Sequence, residues 1–160
     1  MNINKENIFL FIQRKQNSEV KKFLQETGIN SKDPEQRTAL HHAAFYNNME
    51  LLKWLIENNA EVNAQDNTGY TPMHFACQEG NIECVQFLLE NNADVNAVDI
   101  HGNTPAWVTV MHWKGGKNFP VLKHLYCSNA DLSIQNKAGN SANNIIPMEI
   151  YKQLNKKRDE

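Results

Sequence analysis

The sequence repeats with a period of 33 residues, and this period constrains the fold more than any other feature of the chain. Asp33, Asp66 and Asp99 open three similar segments, and Asn136 opens a degenerate fourth. A unit of this length is one supersecondary element that cannot bury its apolar face alone. The period therefore predicts a stack of small units that share one continuous core.

Each segment has the pattern of two short helices. The first helix begins at a threonine whose hydroxyl can cap it, as at Thr71, and the following Pro72 fits the first turn. The second helix places apolar residues at helical spacing, as in Ile82, Val85 and Leu88. Each second helix is predicted to end at an asparagine in the left-handed conformation, which asparagine adopts more readily than most residues. These asparagines are Asn59, Asn92 and Asn129.

The middle segment resembles the ankyrin repeat almost position for position. The resemblance rests on Asp-x-x-Gly-x-Thr-Pro-Met-His-x-Ala over 66–76, on Gly80-Asn81, and on Asn-Ala-Asp-Val-Asn over 92–96. It implies an all-α ankyrin-repeat solenoid of stacked helix-turn-helix units with short β-hairpin-like loops. In this family the histidine of the Thr-x-x-His motif makes structural hydrogen bonds between neighbouring loops, which implies that role for His41 and His74.

The other segments depart from the family pattern at a few positions. Gln36 stands where glycine is usual in the first segment. In the third segment Trp107 replaces the motif histidine, and it is predicted to lie in the core. Four extra residues between Val110 and Asn118 predict a first helix that is one turn longer and closes at a pair of glycines.

The chain is predicted to form a single ankyrin-repeat domain over residues 1–160. The N-terminal unit has helices predicted over 5–15 and 18–26, and the last helix is predicted over 148–157 after Pro147. Both terminal units are expected to be caps with polar outer faces. The predicted units are an N-terminal cap at 1–32, repeats at 33–65, 66–98 and 99–135, and a C-terminal cap at 136–160.

Charge and hydropathy exclude two classes of partner. Lys and Arg number 16 against 18 Asp and Glu, a net charge of −2, whereas nucleic-acid binders normally carry a basic field. No apolar run is long enough to span a membrane, and no signal peptide is apparent. Three cysteines, an odd number, argue against a disulfide framework. We therefore expect a cytoplasmic protein that binds neither nucleic acid nor membrane.

Chemistry-bearing residues are few and poorly placed for catalysis. The six histidines show no paired spacing with cysteine typical of a zinc site, so no metal and no cofactor are expected. His74 and Cys77 lie three apart on one helix, which leaves an enzyme with a cryptic thiol site as a remote alternative. We interpret Cys77 as a small core residue and predict that the chain is not an enzyme.

The resemblance implies where a partner protein would bind. In the ankyrin family the partner lies against the loop tips and the exposed face of the first helices. Phe45, Tyr46, Tyr70, Ile100 and Trp113 stand out there, because interface centres favour large aromatic and apolar groups. The alternative is that some of them pack within the chain. The predicted binding residues are Arg37, Phe45, Tyr46, Asn67, Thr68, Tyr70, Gln78, Glu79, Ile100, His101, Asn103, His112 and Trp113.

The function implied by the resemblance is protein binding without catalysis. We predict a dedicated binder, monomeric on its own, that inhibits or neutralises a partner such as a toxin or an enzyme, as immunity proteins do. The abundance of asparagine, 23 of 160 residues, fits an AT-rich bacterial genome. An adaptor or scaffold, or a host-directed effector, is the alternative.

Overall fold

The computed structural model describes residues 2–155, apart from the side chain of Lys114. Its helices follow the predicted pairs, and within the described residues no strand is formed. The helices are α1 (Ile8–Gln13), α2 (Asn17–Thr27), α3 (Ala39–Phe45), α4 (Met49–Glu57), α5 (Pro72–Glu79), α6 (Ile82–Glu90), α7 (Pro105–Met111), α8 (Phe119–Cys127), α9 (Ala142–Ile145) and α10 (Met148–Asn155).

The helices are arranged in two layers. The first helices of successive units, α1, α3, α5, α7 and α9, pack side by side, and the second helices α2, α4, α6 and α8 pack in the same order behind them. Leu40, Leu52, Leu88 and Leu125 are fully buried between the layers. One hydrophobic core therefore runs through the stack, which confirms the predicted all-α solenoid.

A histidine in each of two units fixes a first helix and also reaches the next unit. The backbone N–H of Thr38 donates to Nδ1 of His41 at 3.0 Å, so this nitrogen carries no proton. The other ring nitrogen, Nε2, therefore carries the proton and donates to the carbonyl of Tyr70 at 3.0 Å. His74 makes the same pair of contacts, with Thr71 and with the carbonyl of Asn103. The neutral imidazole thus holds each loop to the unit before it.

Asparagine side chains form a second set of ties between units. In the loops that follow the second helices, a side-chain oxygen accepts the backbone N–H of the residue 31 or 35 positions further along, each time at 2.8 Å. These bonds join Asn30 to Glu61, Asn63 to Asp94 and Asn96 to Asp131. These three asparagines therefore lie where an amide can satisfy backbone groups of a neighbouring unit.

The asparagines that the sequence predicts to be left-handed do have positive φ. Asn59, Asn92 and Asn129 have φ of 64°, 66° and 67° after α4, α6 and α8, as predicted. Gly69, in the loop before α5, has φ of 79°, and a Cβ there would lie 2.8 Å from the backbone nitrogen of Ile100. Gln36 occupies the equivalent loop position one unit earlier, with φ of 62°.

The prediction of a longer first helix in the third repeat is wrong. α7 ends at Met111 after seven residues, as long as α3. The extra residues form a loop with one 3-10 turn at Lys114–Gly116, because Gly115 and Gly116 adopt positive φ and turn the backbone away from the helix axis. Asn118 closes the loop by donating from Nδ2 to the carbonyl of His112 at 2.6 Å.

The prediction that Trp107 belongs to the core is also wrong. Its side chain is only half-buried and lines a surface depression with Asn136 and Lys137. The imidazole positions of the two preceding units are filled by His41 and His74, which are almost completely buried. An indole is larger than that slot and has no acceptor nitrogen for the Thr104 N–H, so it lies towards solvent.

The first helix of the N-terminal unit is shorter than predicted. α1 begins at Ile8 rather than at residue 5, because Asn4 and Asn7 form a turn in which each side-chain oxygen accepts a backbone N–H. α2 matches the predicted second helix within a residue. The last helix is present over Met148–Asn155, and residues 156–157 of its predicted span lie outside the described residues.

We predict that Gln36→Gly raises the free energy of unfolding by about 0.5 kcal/mol, because relief of the left-handed strain outweighs the added entropy of the unfolded chain. Urea denaturation measures the change. Gln135→Gly is the matched control, since Gln135 is exposed and lies outside the positive-φ positions, and it should lower stability. Equal losses for both variants would contradict the strain at Gln36.

Stability should fall in mild acid because of the histidine bridge. Burial lowers the pKa of His41 from 6.5 to about 4, and it also lowers the pKa of His74. Below pH 6.5 these two histidines bind protons in the unfolded chain but stay neutral in the folded chain. The free energy of unfolding therefore decreases as pH falls towards 4. His41 alone accounts for about 2 kcal/mol between pH 8 and pH 5.

Urea unfolding at several pH values tests this prediction. His41→Gln should remove the corresponding part of the pH dependence, whereas His101→Gln, at an exposed loop tip, should leave it unchanged. If the wild-type chain and His41→Gln lose stability in parallel between pH 8 and pH 5, the bridge is not the titrating element.

Candidate functional site

A surface rich in aromatic side chains lies on the loop side of the first helices. The position directly after the motif histidine also recurs every 33 residues. The four residues at this position form a column along the stack, and they are Phe9, His42, Phe75 and Val108. Between the N-terminal unit and the next two units this column borders a depression of about 330 Å³, which we call the groove. The groove is lined by Phe9, Asp33, Glu35, Arg37, His41, His42, Phe45, Tyr46 and Phe75.

Ring contacts hold the aromatic side chains of the groove in place. The ring of Phe45 lies edge-on to Tyr46 at 5.0 Å and to Phe75 at 5.9 Å between centroids. Tyr70 stacks on His74 at 4.9 Å and meets Phe75 edge-on at 5.4 Å, just beside the groove. Such offset and edge-to-face pairs are the favourable aromatic geometries. The side chains of Phe45, Tyr46 and Tyr70 are half-buried, so each still presents surface to a partner.

A buried acid and a histidine form the floor of the groove. Nε2 of His42 lies 2.7 Å from Oδ2 of Asp33, and both side chains are buried. Burial by itself would raise the pKa of Asp33, but the hydrogen bonds from His42 and from the backbone N–H of Arg37 outweigh it and lower that pKa. Asp33 is therefore a carboxylate at neutral pH, and it holds the imidazole of His42 against the loop.

Arg37 lies across the groove wall with its charge already engaged. Its Nε donates to Oδ2 of Asp66 at 3.2 Å, and its guanidinium lies 5.1 Å above the ring of Phe75. Asp66 also caps its own loop by accepting the backbone N–H groups of Thr68 and Tyr70. Arg37 thus joins the loops of two units while its aliphatic part packs on an aromatic face.

The predicted binding residues separate into two areas and four outlying residues. Arg37, Phe45 and Tyr46 line the groove and Tyr70 flanks it. The loop-tip residues form a second area, in which one backbone hydrogen bond joins each tip to the next. In this area Asn67, Thr68, Ile100 and His101 are exposed and Asn103 is half-buried.

The remaining predicted residues lie apart from the groove. Gln78 and Glu79 are half-buried at the end of α5, where Nε2 of Gln78 lies 3.4 Å from Oε1 of Glu79. His112 is exposed, and its Nδ1 lies 3.0 Å from the carbonyl of Val108. Trp113 packs edge-on against Phe119 of α8, with 6.4 Å between the ring centroids. Trp113 therefore contributes partly to packing, which was the alternative for it.

Sequence reasoning missed Phe9 and Phe75 as groove residues. The signal was present, because both stand in register with His42 at the 33-residue period. Phe75 was overlooked because the adjacent motif residue His74 was the one to which a role was assigned. Phe9 was overlooked because the N-terminal unit lacks the Thr-Pro start from which equivalent positions of the repeats are most easily aligned.

The surroundings of Cys77 do not favour the thiol site that the sequence left as a remote alternative. Cys77 is completely buried, and burial raises the pKa of its thiol to about 12, which leaves it protonated and unreactive at neutral pH. Residues 2–155 contain no group of three or more His, Cys, Asp or Glu side chains placed to hold a metal ion. In the same part of the chain no helix is both long enough and apolar enough to span a bilayer.

Comparison with known families now assigns the fold. The family model described as "Ankyrin repeats (3 copies)" matches residues 8–99, more than half of the chain. The chain is an ankyrin-repeat protein. A search of curated proteins finds no match to it. Ankyrin repeats are protein-interaction modules and typically non-catalytic, and the matched segment contains the groove together with the unit that supplies Phe9.

Proposed function

We propose that this ankyrin-repeat protein is a dedicated binder that inhibits a partner protein, such as a toxin or an enzyme, by covering its surface. The groove carries the proposal, because it presents ordered aromatic side chains that are still accessible between three successive units. Hot spots at protein interfaces are enriched in such groups, seated where water can be excluded.

Side chains that are ordered before the partner binds favour a high affinity for it. Side chains that are already held by ring contacts and ion pairs lose little conformational entropy on docking. Phe45 and Tyr46 are held by each other, and Arg37 is held by Asp66. The histidine bridges hold the loops beneath them, so the surface is preorganised rather than formed on contact.

The groove alone is smaller than a stable interface, which buries roughly 800 Å² on each partner. The loop tips extend the surface along the stack. Ile100 is 49% exposed at the third tip, and Asn67 and Thr68 are exposed at the second. We infer a contact with an aromatic centre at the groove and a more polar rim along these tips, the usual arrangement at interfaces.

The proposed setting is the cytoplasm, with the chain acting as a monomer until it meets its partner. All three cysteines are free, and Cys77 and Cys84 are buried as thiols, which fits a reducing compartment. The asparagine-rich composition supports a bacterial source.

We predict that Tyr46→Ala weakens binding to the captured partner by about 2 kcal/mol, roughly thirtyfold in Kd, because a central anchor is lost. The measurement is capture from native lysate with the wild-type chain, followed by titration calorimetry of each variant against the recovered protein. Glu83→Ala, an exposed residue of α6 on the opposite layer, is the matched control and should bind like wild type. An unchanged Kd for a Tyr46→Ala chain with native circular dichroism would place the binding surface elsewhere.

Inhibition is distinguished from scaffolding by the activity of the recovered partner. We expect that activity to fall linearly and to vanish at one chain per partner. A partner that keeps full activity while saturated would make the chain an adaptor or an effector rather than an inhibitor.

A further inference from the structure

We propose, building on the protein-binding role above, that the groove accepts a lysine or arginine side chain from the partner. The inference rests on three features of the groove: a surplus of carboxylates, aromatic faces that suit a cation, and a size that fits one long side chain.

The carboxylates outnumber the permanent cations around the groove. Asp33 and Glu35 line it, and Asp66 lies behind its wall, whereas Arg37 is the one Lys or Arg residue among the lining residues. Asp33 is engaged with His42, and Asp66 is engaged with Arg37. Glu35 remains, since its side chain is exposed and no ion pair found within residues 2–155 involves its carboxylate. A cation that enters the groove therefore meets an uncompensated negative charge.

The aromatic lining suits a cation better than an anion. The face of an aromatic ring carries the negative part of its quadrupole, so it attracts ammonium and guanidinium groups within about 6 Å. The groove already shows this contact, because the guanidinium of Arg37 lies 5.1 Å above Phe75. Phe45 and Tyr46, on the same lining, are half-buried and have no cation above their rings in the described part of the chain.

A carboxylate from the partner is disfavoured for the same reasons. It would approach three carboxylates and the negative faces of several rings, and the nearest cation is already shared between Asp66 and Phe75. Like charges brought together in a partly desolvated site repel each other strongly. The groove thus discriminates by charge as well as by shape.

The volume limits what can enter. At about 330 Å³ the groove is at the lower end of the range for ligand pockets, roughly 300–1,000 Å³. That space accommodates one extended side chain with its charged end at Glu35 and its aliphatic part against Phe45. Lys and Arg combine such an aliphatic part with a charged end.

Three small probes with the same butyl chain test the charge preference directly. The probes are n-butylguanidinium, neutral pentanamide and anionic pentanoate, each titrated into the ¹⁵N-labelled chain. Backbone amide shifts over residues 33–46 and 66–75 report binding at the groove. We expect butylguanidinium to shift these amides with an apparent Kd at least about threefold lower than that of pentanamide, and pentanoate to leave them unmoved.

Two variants assign the preference to named groups. Glu35→Gln keeps the shape of the side chain and removes its charge, and it should weaken butylguanidinium binding about threefold or more while leaving pentanamide unaffected. Glu83→Gln, the same change on the opposite layer, should alter neither probe. Equal binding of the cation and the neutral probe, preferential binding of pentanoate, binding of no probe, or an unchanged cation affinity in Glu35→Gln would each overturn the proposal.

Failure of this inference is separable from failure of the proposed function. The probe titration needs no partner, so a reversed charge preference together with Tyr46-dependent capture would reject only the basic side chain. Conversely, a cation preference in the groove with Tyr46-independent capture would leave the groove as a site for basic groups but would move the main protein interface elsewhere.

Discussion

The structure depends on a buried, neutral imidazole at each of the two contacts that join the three repeats. In His41 and His74 one ring nitrogen accepts a threonine N–H and the other donates to a carbonyl in the next loop. A protonated ring could not accept the threonine N–H, so the contact requires the neutral tautomer. Burial enforces that state by lowering the pKa of both residues. A single side chain thereby caps a helix and sets the distance to the following unit.

The groove is a consequence of this arrangement. The carbonyl held by His41 belongs to Tyr70, so the bridge that fixes the loop also places the Tyr70 ring beside Phe75 and over His74. The floor of the groove comes from the unit before, where Asp33 holds His42 in place. The surface that we propose as the binding site is therefore built from the contacts that maintain the stack, and its rigidity comes from them.

The sequence predicts those parts of this fold that follow from the period. The helix pairs and the left-handed Asn59 come from local patterns that repeat, whereas the structural role of His41 came from the resemblance to ankyrin repeats. The lengthened helix and the buried Trp107 were wrong for two different reasons. Gly115 and Gly116, with positive φ, turn the four inserted residues into a loop instead of a further helical turn. The buried space that a histidine fills in the other repeats is too small for the indole of Trp107. Side chains from different units meet at the groove, so Phe9 could be placed there only by counting the register across units.

The most direct test of the account is hydrogen exchange of the full chain with and without its captured partner. The account predicts added protection in residues 33–46 and 66–75, which carry the groove and the adjoining loop, and little change in α4 and α6 of the opposite layer. Protection confined to α4 and α6, with residues 33–46 exchanging as in the free chain, would contradict the central claim that the groove side of the stack is the binding surface.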